Sequence, residues 1–266
     1  MIIVFKFLRE VINKRYFIYS LVKRDFQNQY TGSYFGVIWN FIQPIAFIFI
    51  LWFVLNMGFN LRKIENTNHI FWLISGMICW LYFSEVFSTS TQIIQQYSFL
   101  IKKVDLSLGI LPIARILSAS INHLIFICLT VIFGLLMGIS PSFYFIQIFY
   151  YTLALQILLL GLCWLASSIS IFIKDVNNIV FIIVQFGFWL TPVFWSIDNV
   201  PQDYQWIIKL NPLYYLVTGY RDSLIYKIPF WQKPLETIYF WAFSLIILTI
   251  GNIVFRRLRP HFAEVI

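Results

Sequence analysis

Charged side chains are scarce in this sequence, which excludes an ordinary soluble domain. Asp, Glu, Lys and Arg make up 11% of its 266 residues, whereas a typical soluble protein carries about 25%. The chain is instead 60% hydrophobic and 20% aromatic, with a mean hydropathy of +0.80. This apolar surface exceeds what one soluble core buries, so the composition predicts an all-α, polytopic helical membrane protein.

Cysteines, histidines and nucleotide-binding motifs are also few or missing. The three cysteines lie inside apolar runs without a CxxC pair, and the three histidines are scattered, so we expect buried thiols and no metal site. The sequence contains no GxxxxGK(S/T) loop that would cradle a phosphate. No nucleophile motif surrounds Glu85, Asp175 or Asp222. We therefore expect a chain that is not an enzyme, holds no cofactor itself and depends on a separate partner for ATP and Mg²⁺.

Six apolar runs approach or exceed the roughly 20 residues that a spanning helix needs. They cover residues 34–59, 70–91, 113–139, 143–173, 179–195 and 238–255. The basic residues, which give a net charge of +8, cluster outside these runs. Their excess before the first run and after the last predicts that both termini are cytoplasmic. It also favours a topological role for the charge, with no nucleic acid as a partner.

The chain reads as one transmembrane domain, residues 1–266. It begins with a cytoplasmic amphipathic and gate helix at 1–32, whose apolar first residues favour an interface helix over a cleavable signal. Spans one to five follow at 33–195, and the last span and a cytoplasmic tail occupy 235–256 and 257–266. Between them, 196–234 is too polar to span, and Asn211–Pro212 interrupts it. Two short re-entrant helices are predicted there, with an external loop on the headgroups as the alternative.

Polar and aromatic side chains interrupt the apolar runs in a way that suits a channel wall. Glu85 is either a functional carboxylate facing the bundle interior or a group bonded to neighbouring Ser and Thr. Aromatic rings concentrated in the fifth run suit a sugar, because ring faces stack on C–H groups while polar neighbours bind hydroxyls. Pro44 and Pro192 are expected to kink the lining helices. The candidate channel residues are Tyr34, Trp39, Tyr82, Glu85, Phe188, Trp189, Phe194 and Trp195.

Three groups of residues resemble the membrane subunit of bacterial polysaccharide-exporting ABC transporters, the Wzm/TagG-type permeases of the ABC type 2 family. The first is the basic stretch LVKRDFQNQYTGSYFGVIW at 21–39, followed by Gln43-Pro44. The second is Lys174-Asp175-Val176, where the family usually has Arg-Asp. The third is FWLTPV at 188–193, with Val200-Pro201, Asn211-Pro212-Leu213 and Tyr220-Arg221-Asp222 after it. Together they cover essentially the whole chain.

The resemblance implies a homodimer in the bacterial inner membrane, bound to two cytoplasmic ABC ATPase subunits and exporting a polysaccharide linked to undecaprenyl pyrophosphate. It implies that Lys14, Arg15, Lys23 and Arg24 meet the pyrophosphate, with anchoring on anionic membrane lipid as the alternative. ATPase contacts are expected at Lys102, Lys103, Asp105, Lys174 and Asp175, with a plain solvated loop as the alternative for the first three. The implied outer gate contains Asn211, Pro212, Tyr215 and Arg221.

Two other functions stay open at this point. A permease of the same class that carries teichoic acid, capsule, lipid or drug differs only in its cargo, and a wholly apolar lining would favour lipid. A membrane glycan polymerase or ligase needs paired ionisable residues in an external loop. The candidates for that role are Asp198, Asp203, Arg221 and Asp222.

Overall fold

The regular structure is entirely helical in the residues that the computed structural model describes, 14–28, 34–58, 68–98 and 108–265. The principal helices are α1 (Arg15–Asn28), α2 (Trp39–Phe53), α3 (His69–Ser90), α4 (Ile110–Leu136), α5 (Gln147–Ser170), α6 (Val176–Leu190), α7 (Gln202–Lys209), α8 (Pro212–Arg221) and α9 (Pro234–Leu258). Short turns of 3-10 or π helix lengthen several of them, including Val54–Gly58 after α2 and Asp222–Tyr226 after α8. The predicted fold class, a polytopic helical membrane protein, is confirmed.

Within the described ranges, five helical segments are long and apolar enough to cross a membrane. They are Gly36–Met57, His69–Ser90, Ile110–Leu136, Phe143–Ser170 and Pro234–His261. In the most apolar stretch of α3, 72% of the residues are buried, against 6% in the segment that contains α2. α3 therefore lies at the centre of the bundle, whereas α2 offers most of its surface to lipid or to another chain.

The fifth predicted span, 179–195, is shorter in the structure than the sequence suggested. Its helix, α6, has 15 residues and ends at Leu190. Thr191 already has extended backbone, with ψ of 135°, because the proline that follows disfavours helical geometry in the residue before it. Pro192 thus ends the helix, and the prediction that it kinks a continuing one was wrong. Pro44, in contrast, lies inside α2.

Helices α5 and α9 approach each other at backbone distance through two glycines. A Cβ atom on Gly161 would lie 2.7 Å from the Cα of Leu248. A Cβ atom on Gly251 would collide with the carbonyl oxygen of Gly161. Small residues let membrane helices approach at backbone distance, where van der Waals packing replaces the missing hydrophobic drive.

The two short helices predicted before the last span are present, and they meet at Asn211–Pro212. The Asn211 side chain accepts the N–H of Leu213 at 3.0 Å and donates to the Thr191 hydroxyl at 2.8 Å. Pro212 occupies the first turn of α8, where its missing N–H costs nothing. α8 is buried among the spans, whereas α7 keeps its large apolar residues exposed.

The two ends of the bundle, the α1 end and the α8 end, contain different apolar clusters. At the α1 end, Ile18 and Leu21 pack in one apolar cluster with Leu111, Ile171 and Phe262. At the α8 end, the buried residues of α8 join the larger cluster built on α3 and α5.

Candidate functional site

A cleft of about 800 Å³ opens between α2, α3, α4 and α6. Its wall combines amide and hydroxyl side chains with aromatic rings. The polar members include Asn40, Gln43, Ser84, Ser88, Asn122 and Gln185, and the aromatic ones include Phe47, Trp80, Phe126, Phe181, Phe188 and Trp189. A cavity with this mixture holds ligands that combine hydroxyl groups with apolar faces.

Aromatic rings form one connected cluster at the α6 side of the cleft. The Phe188 ring centroid lies 5.6 Å from that of Trp80 and 5.8 Å from that of Phe47. Phe194 packs against both Phe188 and Trp189, at 5.2 and 5.1 Å. Phe188 is only 9% exposed, whereas Trp189 is 60% exposed. Trp189 is therefore the ring of this cluster that is most available to a ligand.

The cleft brings together half of the predicted channel residues. Tyr82, Glu85, Phe188 and Trp189 line it. Phe194 touches its aromatic cluster, and the Trp195 indole N–H donates to the Trp189 carbonyl at 3.1 Å. Tyr34 and Trp39 lie before and at the start of α2, each packed edge-on against Phe35. The transport role of all eight residues stays a prediction.

Tyr82 lines the cleft, but its hydroxyl forms hydrogen bonds inside the bundle core. The side chain is 2% exposed. Its hydroxyl lies 2.8 Å from that of Ser120, which also accepts the Gln156 amide at 3.0 Å. The Tyr82 ring stacks on the His123 ring at 4.4 Å, and His123 lies 2.8 Å from the Tyr220 hydroxyl. This chain of polar contacts joins α3, α4, α5 and α8, as expected for interhelical hydrogen bonds in lipid.

Glu85 belongs to an ion-paired cluster at the α1 end of the cleft. Arg115 donates to Asp25 of α1 at 2.9 Å, to Glu85 of α3 at 3.2 Å and to the Thr89 hydroxyl at 2.8 Å. The Arg115 and Asp25 side chains are 9% and 10% exposed, and that of Glu85 is 34% exposed. One guanidinium thus ties α1, α3 and α4 together, while Glu85 alone of the three faces the cleft. The Glu85 carboxylate thus pairs with an arginine from another helix, and not with the neighbouring Ser and Thr that the sequence offered as the alternative.

Arg221, a predicted outer-gate residue, is buried at the end of α8 and holds the broken end of α6. It is 3% exposed and donates to the carbonyls of Pro192 at 2.7 Å and Val193 at 2.5 Å. Its guanidinium also lies 3.3 Å from the Trp72 ring centroid. Non-helical backbone inside a membrane protein needs internal hydrogen-bond donors, and Arg221 supplies them. Tyr215, 3% exposed, bonds its hydroxyl to Tyr150.

Replacing Arg221 by Lys keeps the charge but removes the planar fork that reaches two carbonyls at once. We expect R221K to lose roughly 1–3 kcal/mol of stability because one buried carbonyl loses its donor. Thermal unfolding of the purified protein measures this, with the exposed Arg257→Lys as the control. Equal unfolding temperatures for the two variants would contradict the role given to Arg221.

Some of the residues predicted for the entrance and for the ATPase contact belong to the part of the chain that the structure describes, and these lie at the α1 end. Arg15, Lys23 and Arg24 are exposed on α1. Lys174 and Asp175 are exposed in the turn after α5, and this turn is at the α1 end because Ile171 packs in the same cluster as Ile18. Lys14 is half-buried just before α1. Lys102, Lys103 and Asp105 lie outside the described residues.

A smaller pocket of about 320 Å³ lies at the α8 end. Its lining includes Asp198, Arg221, Asp222, Tyr226 and Lys233. Asp222 is paired with the Lys233 ammonium, and Asp198 accepts the Ser196 hydroxyl at 2.7 Å. Two of the candidate acids of the enzyme alternative therefore share a pocket, but one of them is neutralised by a lysine.

Comparison with known proteins fits this architecture. Residues 16–225 match the family model described as ABC-2 type transporter. The chain is 24% identical over 248 residues to an O-antigen export system permease protein RfbA of Klebsiella pneumoniae, covering 92% of this chain and 93% of the relative. It is also 24% identical over 264 residues to the RfbA permease of Myxococcus xanthus, covering 97% and 98% of the two chains.

Proposed function

Because the chain belongs to the ABC-2 type transporter family, we propose that it is the permease subunit of an ATP-driven exporter of O-antigen-like polysaccharide. The cargo is a glycan attached to undecaprenyl pyrophosphate, and it passes from the cytoplasm across the inner membrane. The polar and aromatic cleft carries this proposal. The similar proteins named as O-antigen export permeases support it.

The composition of the cleft fits a sliding glycan better than it fits a lipid or an apolar drug. A sugar presents C–H faces to rings such as Trp189 and hydroxyls to amides such as Gln43 and Gln185. Many weak contacts of this kind hold a polymer without trapping it, and conduction requires both binding and release. A lipid-only path would need no such amides.

A second copy of the chain closes the cleft into a channel in this proposal. α2 and α6, which line the cleft, keep most of their large apolar residues exposed, and the segment around α2 buries only 6% of its most apolar stretch within one chain. Two permeases related by a two-fold axis would cover this surface. The two ATPase partners, which hold ATP and Mg²⁺, bind at the α1 end near Lys174 and Asp175, and both termini are cytoplasmic.

The α1 end also receives the lipid-linked end of the cargo. Arg15, Lys23 and Arg24 expose their charges on one helix there, and such groups bind pyrophosphate by charge-assisted hydrogen bonds. Anchoring of the same residues on anionic lipid is the competing role. A loss of contact between α1 and anionic lipid on their substitution, without loss of cargo binding, would favour anchoring.

Two experiments test the proposed function. Deletion of the gene should abolish surface polysaccharide while the lipid-linked polymer accumulates in the cytoplasmic leaflet. A tagged permease should also co-purify with an ABC ATPase and a second permease copy. Unchanged surface polysaccharide, or the absence of an ATPase from the purified complex, would contradict the proposal.

Trp189 gives a prediction that separates cargo contact from folding. Trp189→Ala removes the exposed ring of the cleft. Stacking of a sugar ring on one aromatic side chain contributes on the order of 1 kcal/mol. We expect export to fall roughly fivefold with unchanged unfolding temperature. The matched control is Trp231→Ala, which removes an equally exposed tryptophan (64%) outside the cleft. Equal export by both variants would speak against a cleft that carries cargo.

The polymerase or ligase alternative is tested at its candidate acids, of which Asp198 and Asp222 line the pocket at the α8 end. Replacement of Asp198 and Asp203 by Asn leaves export and polymer length unchanged if the chain is a permease. Asp222→Asn is added separately, with the amount of folded protein measured, because Asp222 is buried and paired with Lys233. Shortened polymer in these variants would favour the enzyme.

A further inference from the structure

The charges of the cleft differ from those of the surface that leads to it. Among the described side chains that line the cleft, Glu85 is the one carboxylate, and none is Lys or Arg. The histidine in the wall, His123, is 3% exposed and held by Tyr220. The cleft therefore offers a passing polymer neutral amides, hydroxyls, aromatic rings and one acidic group.

Arg115 pairs with Glu85, but it is one cation shared by two carboxylates, so the three side chains together keep a net negative charge. Its side chain is 9% exposed, and it is not part of the cleft lining. Its N–H groups point to Asp25, Glu85 and Thr89. An anionic cargo would have to take the guanidinium away from two carboxylates, and breaking such a buried pair is costly.

We infer that this cleft selects neutral glycans and discriminates against polymers with a phosphate or carboxylate in each repeat. The inference rests on the proposed function and narrows its cargo. A polyanion in the channel would pass Glu85, or two copies of it in the proposed dimer, without meeting a cation among the described residues of the lining. At the reduced effective dielectric of such a site, like charges repel far more than in water. The inference does not extend to the single pyrophosphate at the lipid end, because that group meets the basic residues of α1.

The specificity-determining residue in this view is Glu85. An uncharged wall offers a polyanion no attraction, whereas a wall with a carboxylate repels it. Binding sites often discriminate between ligands by means of such a repulsive group. A neutral glycan gains instead, since a carboxylate accepts hydrogen bonds from sugar hydroxyls. Removing the charge should therefore change the preference between the two cargo classes much more than it changes neutral binding.

The test compares two probes of equal length, maltoheptaose and a galacturonate heptamer. Their affinities are measured by microscale thermophoresis on the full permease, purified with its ATPase in nanodiscs of uncharged phosphatidylcholine. We expect maltoheptaose to bind at least about tenfold more tightly than the galacturonate heptamer. The ratio of the two affinities should fall as salt is added, because screening weakens repulsion between accessible charges.

Three variants assign the discrimination to Glu85. Glu85→Gln keeps the shape and an acceptor for Arg115, and should reduce the ratio roughly threefold or more while maltoheptaose affinity stays within about twofold. Asp25→Asn removes the carboxylate on the other side of Arg115, outside the cleft, and should change the ratio less than Glu85→Gln does. Glu236→Gln removes the same charge at the start of α9, where Glu236 pairs with Lys209, and should leave the ratio unchanged.

The outcomes separate this inference from the proposed function. Equal or tighter binding of the galacturonate heptamer, or an unchanged ratio in E85Q, overturns the neutral-glycan selectivity and leaves a glycan exporter intact. Binding of neither probe argues against a glycan channel and overturns both. Equal changes in E85Q and D25N would trace the effect to the ion-paired cluster rather than to the cleft, which also overturns the assignment to Glu85.

Discussion

Replacement of Arg115 by Met is expected to produce the largest loss of stability among the single substitutions considered. The variant leaves Asp25 and Glu85 without their shared guanidinium in a place that is mostly buried. Removing one partner of a buried ion pair costs roughly 3–5 kcal/mol. For a chain of this size that corresponds to a fall of about 10 °C in the unfolding temperature. Thermal unfolding in detergent measures it, and export should fall with the amount of folded protein.

A triple substitution distinguishes lost charge balance from lost packing. In Asp25→Asn, Glu85→Gln, Arg115→Met together, no unpaired charge remains, and such neutral replacements often restore stability. We expect the triple variant to unfold close to the wild type. The exposed Arg257→Met on α9 is the control for loss of an arginine. If R115M unfolds like R257M, the cluster contributes little to the fold.

Gly251→Ala is the second change with a large expected effect. A Cβ atom there collides with the carbonyl oxygen of Gly161, and backbone cannot swing away as a side chain can. Helices α5 and α9 would have to separate, at a cost of more than about 3 kcal/mol. The yield of folded protein and its unfolding temperature should both drop.

Gly187→Ala is the matched control for Gly251→Ala, because it makes the same change within α6. The nearest atom to its new Cβ would be the far end of the Trp80 ring, at 3.1 Å, so that ring has to move by only a few tenths of an ångström. Alanine also favours helix over glycine by about 1 kcal/mol. G187A should therefore be neutral or slightly stabilising, and a similar loss in both variants would rule out the glycine contact as the cause.

The sequence predicted the helical architecture well, since apolar length is a direct signal in a membrane protein. The second, third, fourth and last apolar runs correspond to α3, α4, α5 and α9, with bounds that differ by a few residues. The break at Asn211–Pro212 was also predicted, because proline and a capping residue mark a helix start wherever they occur. The end of α6 was missed, although Thr191-Pro192 carries the local signal for it.

The candidate site was less accessible to sequence reasoning. Aromatic and polar residues in apolar runs indicated a channel wall, but periodicity does not say which face of a helix meets the cleft. The partners of Arg115 lie 90 and 30 residues away in the chain, so only the folded bundle brings them together. The same holds for Arg221, whose carbonyl acceptors lie at the end of another helix and leave no side-chain pattern to read.

The shortness of α6 has a consequence for the surrounding bilayer. Its 15 residues span roughly 22 Å at 1.5 Å per residue, whereas the hydrocarbon layer is about 30 Å thick. A hydrophobic mismatch of this size is relieved by local thinning of the bilayer or by protein that fills the gap. Here the buried turn at Thr191–Val193 fills part of the gap, and we expect the bilayer beside α6 to be thinner than it is around the longer helices.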